Sequence, residues 1–355
     1  MTLSPAAFIR SFLAVSAFLL ALVAAMNFFV DPAGIFFGDS SLERAMAEAL
    51  RWRPVIVVNG TYDERKFEQY RITFEDSRPA VIVSGSSRSA LIGTRTYPEP
   101  VLNLSVSGAS IEDHVALLSM ALAKFEPRKV ILCLDPWILN LWAGQTLWTS
   151  LQSQYVDAEA GLLPPGERDA ASAADNSRYL QLVHFGYTLE SIRKLRLLMS
   201  LARGHAVDVR LDDTPLPARD LLRRDGSRVY SLRYLNRRPD EADQDIDHWV
   251  QYSLAQFSFS AHHRKLLTAL VVRLQQCCTV EFFLAPYHPI AYARLKVVRP
   301  EVMAVEAELR MLAQQRHIRV MGSYDPAQAH CTRDEFFDGA HAREVCLQRI
   351  LETTP

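Results

Sequence analysis

Residues 80–88 read Ala-Val-Ile-Val-Ser-Gly-Ser-Ser-Arg, with Pro79 just before them. The short apolar, β-branched run Ala80 to Val83 stops at Ser84-Gly85, the pattern of a buried strand entering a tight turn. Similar runs recur at Val130 to Leu134, ended by Asp135-Pro136, at Val280 to Leu284, before Ala285-Pro286, and at Ile318 to Met321. Between them, Ile111 to Lys124, His262 to Gln276 and Val302 to Arg316 carry helical periodicity. Tyr179 to Arg203 and Leu42 to Arg51 also read as helices. Short strands alternating with helices predict an α/β fold with a doubly wound, mainly parallel sheet, whose functional groups gather at the carboxyl ends of the strands. Gln145 to Asn176 is polar and holds Pro164, Pro165 and Gly166, and Thr214 to Gln244 is charged and turn-rich. A loop-rich insertion is therefore expected at about 145–245, within a domain running from 79 to 355.

Toward the N-terminus, Ser11 to Val30 contains no ionisable side chain. About 20 residues at 1.5 Å each span roughly 30 Å, the hydrocarbon thickness of a bilayer. Arg10 precedes the run and Asp31 follows it. The positive-inside rule then keeps 1–10 in the cytoplasm, makes 11–30 a single-pass anchor, and exports the juxtamembrane segment 31–78 and everything after it. A cleaved signal peptide, cut near Ala24 and Ala25, is the competing reading, and a buried soluble helix is a third. The apolar run continues through Phe28, Phe29 and Val30, longer than a usual signal core, which favours the anchor.

The chain has 355 residues, 49% of them hydrophobic, enough for one large globular domain. Its net charge of -1 argues against a nucleic-acid-binding surface. Of five cysteines, Cys133 lies in an apolar run and reads as a buried small hydrophobe. A bridge between Cys331 and Cys346 would staple a loop in an exported domain. The odd count leaves at least one thiol unpaired within the chain. Cys277-Cys278 is too tight a spacing for a metal site, and His262-His263 has no matching partner, so no metal is expected.

Three segments carry the chemistry: Val81 to Arg88 with Gly85-Ser86-Ser87, Asn103 to Ser110 with Gly108, and Phe337 to His341 with Asp338-x-x-His341. At these residues the chain resembles the SGNH (GDSL-like) hydrolase and acyltransferase superfamily. The resemblance implies a flavodoxin-like α/β fold, a nucleophilic serine after the first strand, an oxyanion glycine after the second, and a C-terminal Asp-x-x-His. The anchor, the Gly-Ser-Ser-Arg form and Asp135-Pro136-Trp137 look like envelope-associated members, among them DltD-type proteins and the SGNH partners of polysaccharide O-acetylation. The motifs span 79 to 341, and the insertion matches no segment of that family. One departure stands out. The family usually offers an asparagine as a third oxyanion donor, where this chain has Leu134-Asp135-Pro136-Trp137. An ionised Asp135 would repel the oxyanion. Asn140 is close in sequence but weakly placed.

The chemistry of the residues stands apart from the resemblance. A serine hydroxyl attacks well only when a base takes its proton. Ser87 is the expected nucleophile, His341 the base, and Asp338, three residues earlier, the group that holds and orients the imidazole. The amides of Ser87 and Gly108 are the expected oxyanion donors. Each piece has a plainer reading. A Ser-rich turn after a strand is commonly an N-cap, Asp338-Gly339 is commonly a turn, and Gly108 by itself carries nothing. Their order and their places at strand ends are what point to a triad. Ser86 is the competing nucleophile. Arg88 reads either as an anion-binding side chain or as a structural arginine, paired with an acid such as Asp338 or covering the sheet rim. Tyr287 and His288, after the third strand, read as acceptor-pocket residues or as a Pro-bounded turn. Trp137, Trp142 and Trp148 read as sugar platforms or as packing residues, and the run Asp243, Asp245, Asp247 and His248 as a solvated loop.

These readings lead to one expectation. The protein would be a membrane-anchored serine-dependent O-acyltransferase, most simply an acetyltransferase, acting in the periplasm on a cell-envelope polysaccharide or glycolipid. It would need no cofactor. By resemblance only, it would receive its acyl group from a membrane-bound exporter. A carbohydrate esterase with the same triad is the first alternative. A non-catalytic envelope protein that binds polysaccharide or scaffolds assembly is the second, motivated by the missing asparagine.

Overall fold

The computed structural model describes residues 4–31, 36, 40–58, 62–168, 179, 182–202, 207–247, 250 and 256–352. Five strands form one all-parallel sheet: β2 (Val81–Ser84), β3 (Val101–Asn103), β4 (Lys129–Cys133), β8 (Thr279–Leu284) and β9 (Arg319–Gly322). Their spatial order is β3-β2-β4-β8-β9. Counted along the chain that is 2-1-3-4-5, the order of a doubly wound sheet whose crevice opens where the order reverses, beside β2 and β4. Alternation along the strands divides the core in two. Ile82, Leu102, Val130, Leu132, Phe282 and Leu284 face a cluster shared with the helices Ile111–Lys124, Ala261–Gln275 and Glu301–Arg316. Val81, Val83, Ile131, Cys133, Phe283 and Met321 face the other side, covered by Leu347 and Ile350 of the helix Glu344–Glu352. Burial on both faces explains why the strands read as continuous apolar runs rather than as alternating ones.

The predicted strands fall within one residue of the observed ones. The three-residue strand Val101–Asn103 is too short to show a period. Among the described residues, the insertion holds the expected helix and further elements beside it. It contributes the helices Gln152–Leu162 and Phe185–Ala202 and the strands β5 (Val209–Arg210), β6 (Leu221–Arg223) and β7 (Arg228–Val229). With β1 (Val55–Val57), from the segment before the main sheet, these strands form a small antiparallel sheet in the order β5-β1-β6-β7. Segment 31–78 and the insertion thus fold against each other, a pairing across about 150 residues that no local pattern shows.

At the N-terminus, the helix Pro5–Val30 includes Ile9–Val30, 22 residues with mean hydropathy 2.4, long and apolar enough to cross a membrane. Its last turn is fastened to the folded part. Asn27 is fully buried and donates to Leu182 O at 2.7 Å and Thr188 Oγ1 at 2.9 Å. Tyr187 Oη donates to Asp31 Oδ1 at 2.9 Å, and Lys194 Nζ donates to Asp31 O at 2.9 Å.

Candidate active site

The turn after β2 is shaped by three small residues with different tasks. Gly85 has no room for a side chain: a Cβ there would strike Ser89 Oγ and stand 2.5 Å from Cys133 Cβ. Ser86 is 1% exposed, and its Oγ accepts from Arg88 N at 3.2 Å, capping a 3₁₀ turn over Ser87–Ser89. Its hydroxyl is therefore turned inward, away from any ligand. From 81 to 93 every residue is buried except Ser87. The turn thus presents one hydroxyl outward and spends the other on the backbone.

Ser87 Oγ lies 2.9 Å from His341 Nε2, across 254 positions of sequence. His341 Nδ1 lies 2.8 and 3.0 Å from the two oxygens of Asp338. Asp338 Oδ1 also accepts from the amides of Ala340 at 2.8 Å and His341 at 2.9 Å, while Oδ2 accepts from Tyr234 Oη at 2.6 Å. Burial alone would raise the Asp338 carboxyl. The adjacent His341, the Tyr234 hydroxyl and the Ala340 amide outweigh it and hold that carboxyl well below the usual carboxylate range. An ionised carboxylate only accepts, so Nδ1 of His341 carries the proton and Nε2 faces Ser87 as the proton acceptor. Burial and the Asp338 charge push the Tyr234 phenol far above its ordinary value, so it stays a donor. The hairpin that holds the imidazole is closed by the bridge Phe336↔Ala342, by His288 N donating to Gly339 O at 3.1 Å, and by a disulfide between Cys331 and Cys346.

Beyond the named strands the parallel pairing of β2 and β3 continues, with Leu104 N donating to Val83 O at 2.8 Å and Val106 N to Gly85 O at 3.0 Å. This register carries the loop ending at Gly108 alongside the turn ending at Ser87. Gly108 has φ +59, a left-handed conformation that suits glycine. Among the described residues, the amides of Ser87 and Gly108 donate to no protein acceptor. The loop is clamped from both sides. The amide of Ser107 donates to Glu64, and Ser107 Oγ donates to Glu64 Oε1 at 3.0 Å. Arg65 Nη2 donates to Ser107 O at 2.8 Å, and Trp137 Nε1 to Ala109 O at 2.8 Å. Arg228 from the insertion holds Glu64 at 2.7 Å.

The other sequence candidates are placed differently from their substrate-facing readings. Arg88 is 3% exposed and pairs with Asp135 at 2.7 Å rather than with Asp338. It also donates to Ala340 O and Ala285 O, and its guanidinium sits 4.1 Å over the Tyr287 ring. It is a structural arginine that neutralises Asp135 and ties β2 to the His341 hairpin, not a ligand for an anion. Tyr287 is fully buried beneath it and lines no acceptor pocket. His288 is also fully buried, and its Nδ1 accepts from Ile290 N at 3.2 Å, capping the helix Pro289–Val298. Asn140 is 1% exposed and both ends of its amide bind backbone, so it meets neither substrate nor oxyanion. Trp137 is tied by its indole to Ala109, Trp148 packs on Tyr155 at 5.0 Å, and Trp142 is 60% exposed. Asp243 pairs with Arg333, and Asp245 with Arg237 at 2.5 Å; His248 lies outside the described residues.

Sequence reasoning missed Tyr234, Glu64 and Arg228. They lie 104, 43 and 121 positions from Asp338, Ser107 and Ser107 respectively, in segments with no motif of their own. Tyr234 and Arg228 come from the insertion and Glu64 from the helix Glu64–Phe74 in segment 31–78, so only the folding of both segments onto the sheet brings them in.

No family model matches the chain, and no curated protein matches it either.

Proposed function

We propose that the protein is a membrane-anchored, serine-dependent O-acyltransferase of SGNH type, held by its N-terminal helix in the inner membrane with the folded part in the periplasm. Its acceptor would be a cell-envelope polysaccharide or glycolipid. One observation carries this reading: Ser87, His341 and Asp338 form a continuous hydrogen-bonded chain at the carboxyl end of the first strand of the main sheet.

In this reading Ser87 Oγ attacks the acyl carbonyl and its proton passes to His341 Nε2. The tetrahedral oxyanion is met by the amides of Ser87 and Gly108. The bond from the acyl carbon to the donor oxygen breaks, and the donor oxygen leaves with the proton from His341. An acceptor hydroxyl then attacks the acyl-serine, gives its proton to Nε2, and takes the acyl group. Ser87 Oγ recovers that proton as the ester bond breaks. Asp338 remains ionised throughout and steadies the imidazolium. Water in place of the sugar hydroxyl gives an esterase, a second reading favoured by the partial solvent exposure of Ser87.

A fluorophosphonate probe tests the nucleophile: the wild-type chain is expected to label and Ser87→Ala is not. Persistent labelling in Ser87→Ala rejects the nucleophile, and an unreactive wild type favours a non-catalytic envelope protein. A chromogenic acetyl ester supplied with an oligosaccharide separates the two enzymes. Acetyl appearing on the sugar supports transfer; release to water alone supports the esterase.

A further inference from the structure

The helix Phe185–Ala202 starts beside the end of the membrane-length helix. Leu182 O and Thr188 Oγ1 both accept from Asn27 Nδ2, at 2.7 and 2.9 Å. Asn27 is three residues short of Val30, where the apolar span ends, so it sits about 5 Å inside that end. Residues 182–188 therefore lie at the depth of the last turn of the span. Further along, Lys194 Nζ reaches Asp31 O at 2.9 Å, one residue past the span. The helix thus leads from acyl depth at Phe185 to headgroup level near Lys194. Around the span's end Phe28, Phe36 and Tyr179 meet ring to ring, with centroids 5.1 and 5.9 Å apart. Aromatic side chains gather at such boundaries.

Tyr187, Ser191 and Lys194 form the buried side of the helix. At about 100° per residue, Phe185, Leu189, Ile192 and Met199 project from the opposite side, and all four are exposed. Phe185 is 76% exposed, and its neighbours Val183 and Phe29 are exposed with it. Arg196 is exposed within this apolar stripe, and Arg193 is exposed at its border, where it pairs with Glu190. A long basic side chain at headgroup level lays its stem on apolar surface and carries its charge to phosphate.

We propose that the outward side of the helix Phe185–Ala202 is a lipid-binding surface. Phe185, Leu189 and Ile192 enter the edge of the acyl region, and Arg196 meets lipid phosphate. The inference rests on the reading of Ile9–Val30 as a retained membrane span. One span leaves the folded part free to tilt and to turn about it, and a second apolar contact beside it restrains both.

The test reconstitutes the full chain into vesicles of phosphatidylcholine and phosphatidylglycerol that contain a phospholipid with a photoreactive diazirine in its acyl chain. Irradiation is followed by mapping of the adducts by mass spectrometry. Adducts are expected in the span and at 183–192, and not around Leu211 or Val297, apolar side chains exposed elsewhere on the surface. Phe185→Gln, Leu189→Gln and Ile192→Gln together are expected to lower adducts at 183–192 by about 10-fold, with those in the span and the thermal midpoint in detergent unchanged. Adducts in the span alone overturn the inference and leave the anchor standing, as does a triple variant that keeps its adducts. Equal adducts at Leu211 and Val297 also overturn it, because labelling would then follow exposure rather than depth. Adducts at 183–192 that vanish as the protein-to-lipid ratio rises assign the surface to a second copy of the chain and overturn the lipid reading. Absence of adducts from the span brings down the anchor reading, and this inference with it.

Discussion

Two serine–histidine pairs sit three residues apart on the same strand end. Ser87 Oγ meets His341 at 2.9 Å, and Ser84 Oγ meets His114 at 2.8 Å. Distance does not distinguish them; surroundings do. Ser84 and His114 are 1% and 2% exposed, sealed between the sheet and the helix Ile111–Lys124. The nearest acid, Asp113, is spent on Arg65 at 2.9 Å and on the Ser110 cap. Burial pushes the His114 imidazole down to about 4, with Asp113 only partly opposing it. That ring is a neutral packing group. His341 has a carboxylate on its far nitrogen, a serine at the surface on its near one, and undonated amides beside that serine. A nucleophile thus needs access, an oriented base and a place for negative charge, and the buried pair lacks all three.

The comparison breaks first at the nucleophile. Ser87→Ala is expected to lower fluorophosphonate labelling by more than about 10³-fold, read by gel fluorescence. If Ser84→Ala has that effect instead, the assignment of the two pairs is reversed. Next in size, Asp338→Asn is expected to cost on the order of 10³-fold in labelling rate, because an amide facing Nδ1 no longer imposes the working tautomer.

The buried pair is sharpened through stability. His114 binds its proton less readily folded than unfolded, so the unfolded chain takes up more protons below pH 6.5, and stability falls as pH drops toward 4. The loss reaches on the order of 3 kcal/mol. Urea midpoints at pH 7 and pH 4.5 measure it, and His114→Gln is expected to flatten that part of the slope. Tyr234→Phe removes one hydrogen bond to Asp338 and is expected to slow labelling by roughly 10-fold, about 1.4 kcal/mol. An unchanged rate would reduce Tyr234 to packing against Phe337, whose ring centroid is 4.9 Å away. Ser84→Ala is expected to change labelling by less than about threefold while lowering the thermal midpoint.

Much of this contrast was legible in the chain. Gly85-Ser86-Ser87 after an apolar run, and Asp338 three residues before His341, are local patterns whose reach is a single turn, so they read directly. The choice of Ser87 over Ser86 follows from the family resemblance, and the structure adds the cap bond from Arg88 N to Ser86 Oγ that turns the other hydroxyl inward. Arg88, Asn140, Tyr287 and His288 carry polar groups near strand ends, and in sequence each admits a binding reading beside a structural one. In the fold each is buried against partners distant in sequence. Tyr234 gave no signal, since it sits on the short helix Leu232–Leu235, whose place is set by contacts elsewhere.

By itself the sequence determined an apolar helix of membrane-spanning length, an α/β core and the short motifs at three strand ends, because hydrophobic period and turn chemistry act within a few residues. Tertiary structure alone decided which imidazole meets the Ser87 hydroxyl, which imidazole is sealed away, and how the insertion delivers Tyr234 and Arg228 to the edge of the site. Those choices come from pairings across some 30 to 250 residues, whose energies depend on burial and on partners that no local pattern encodes.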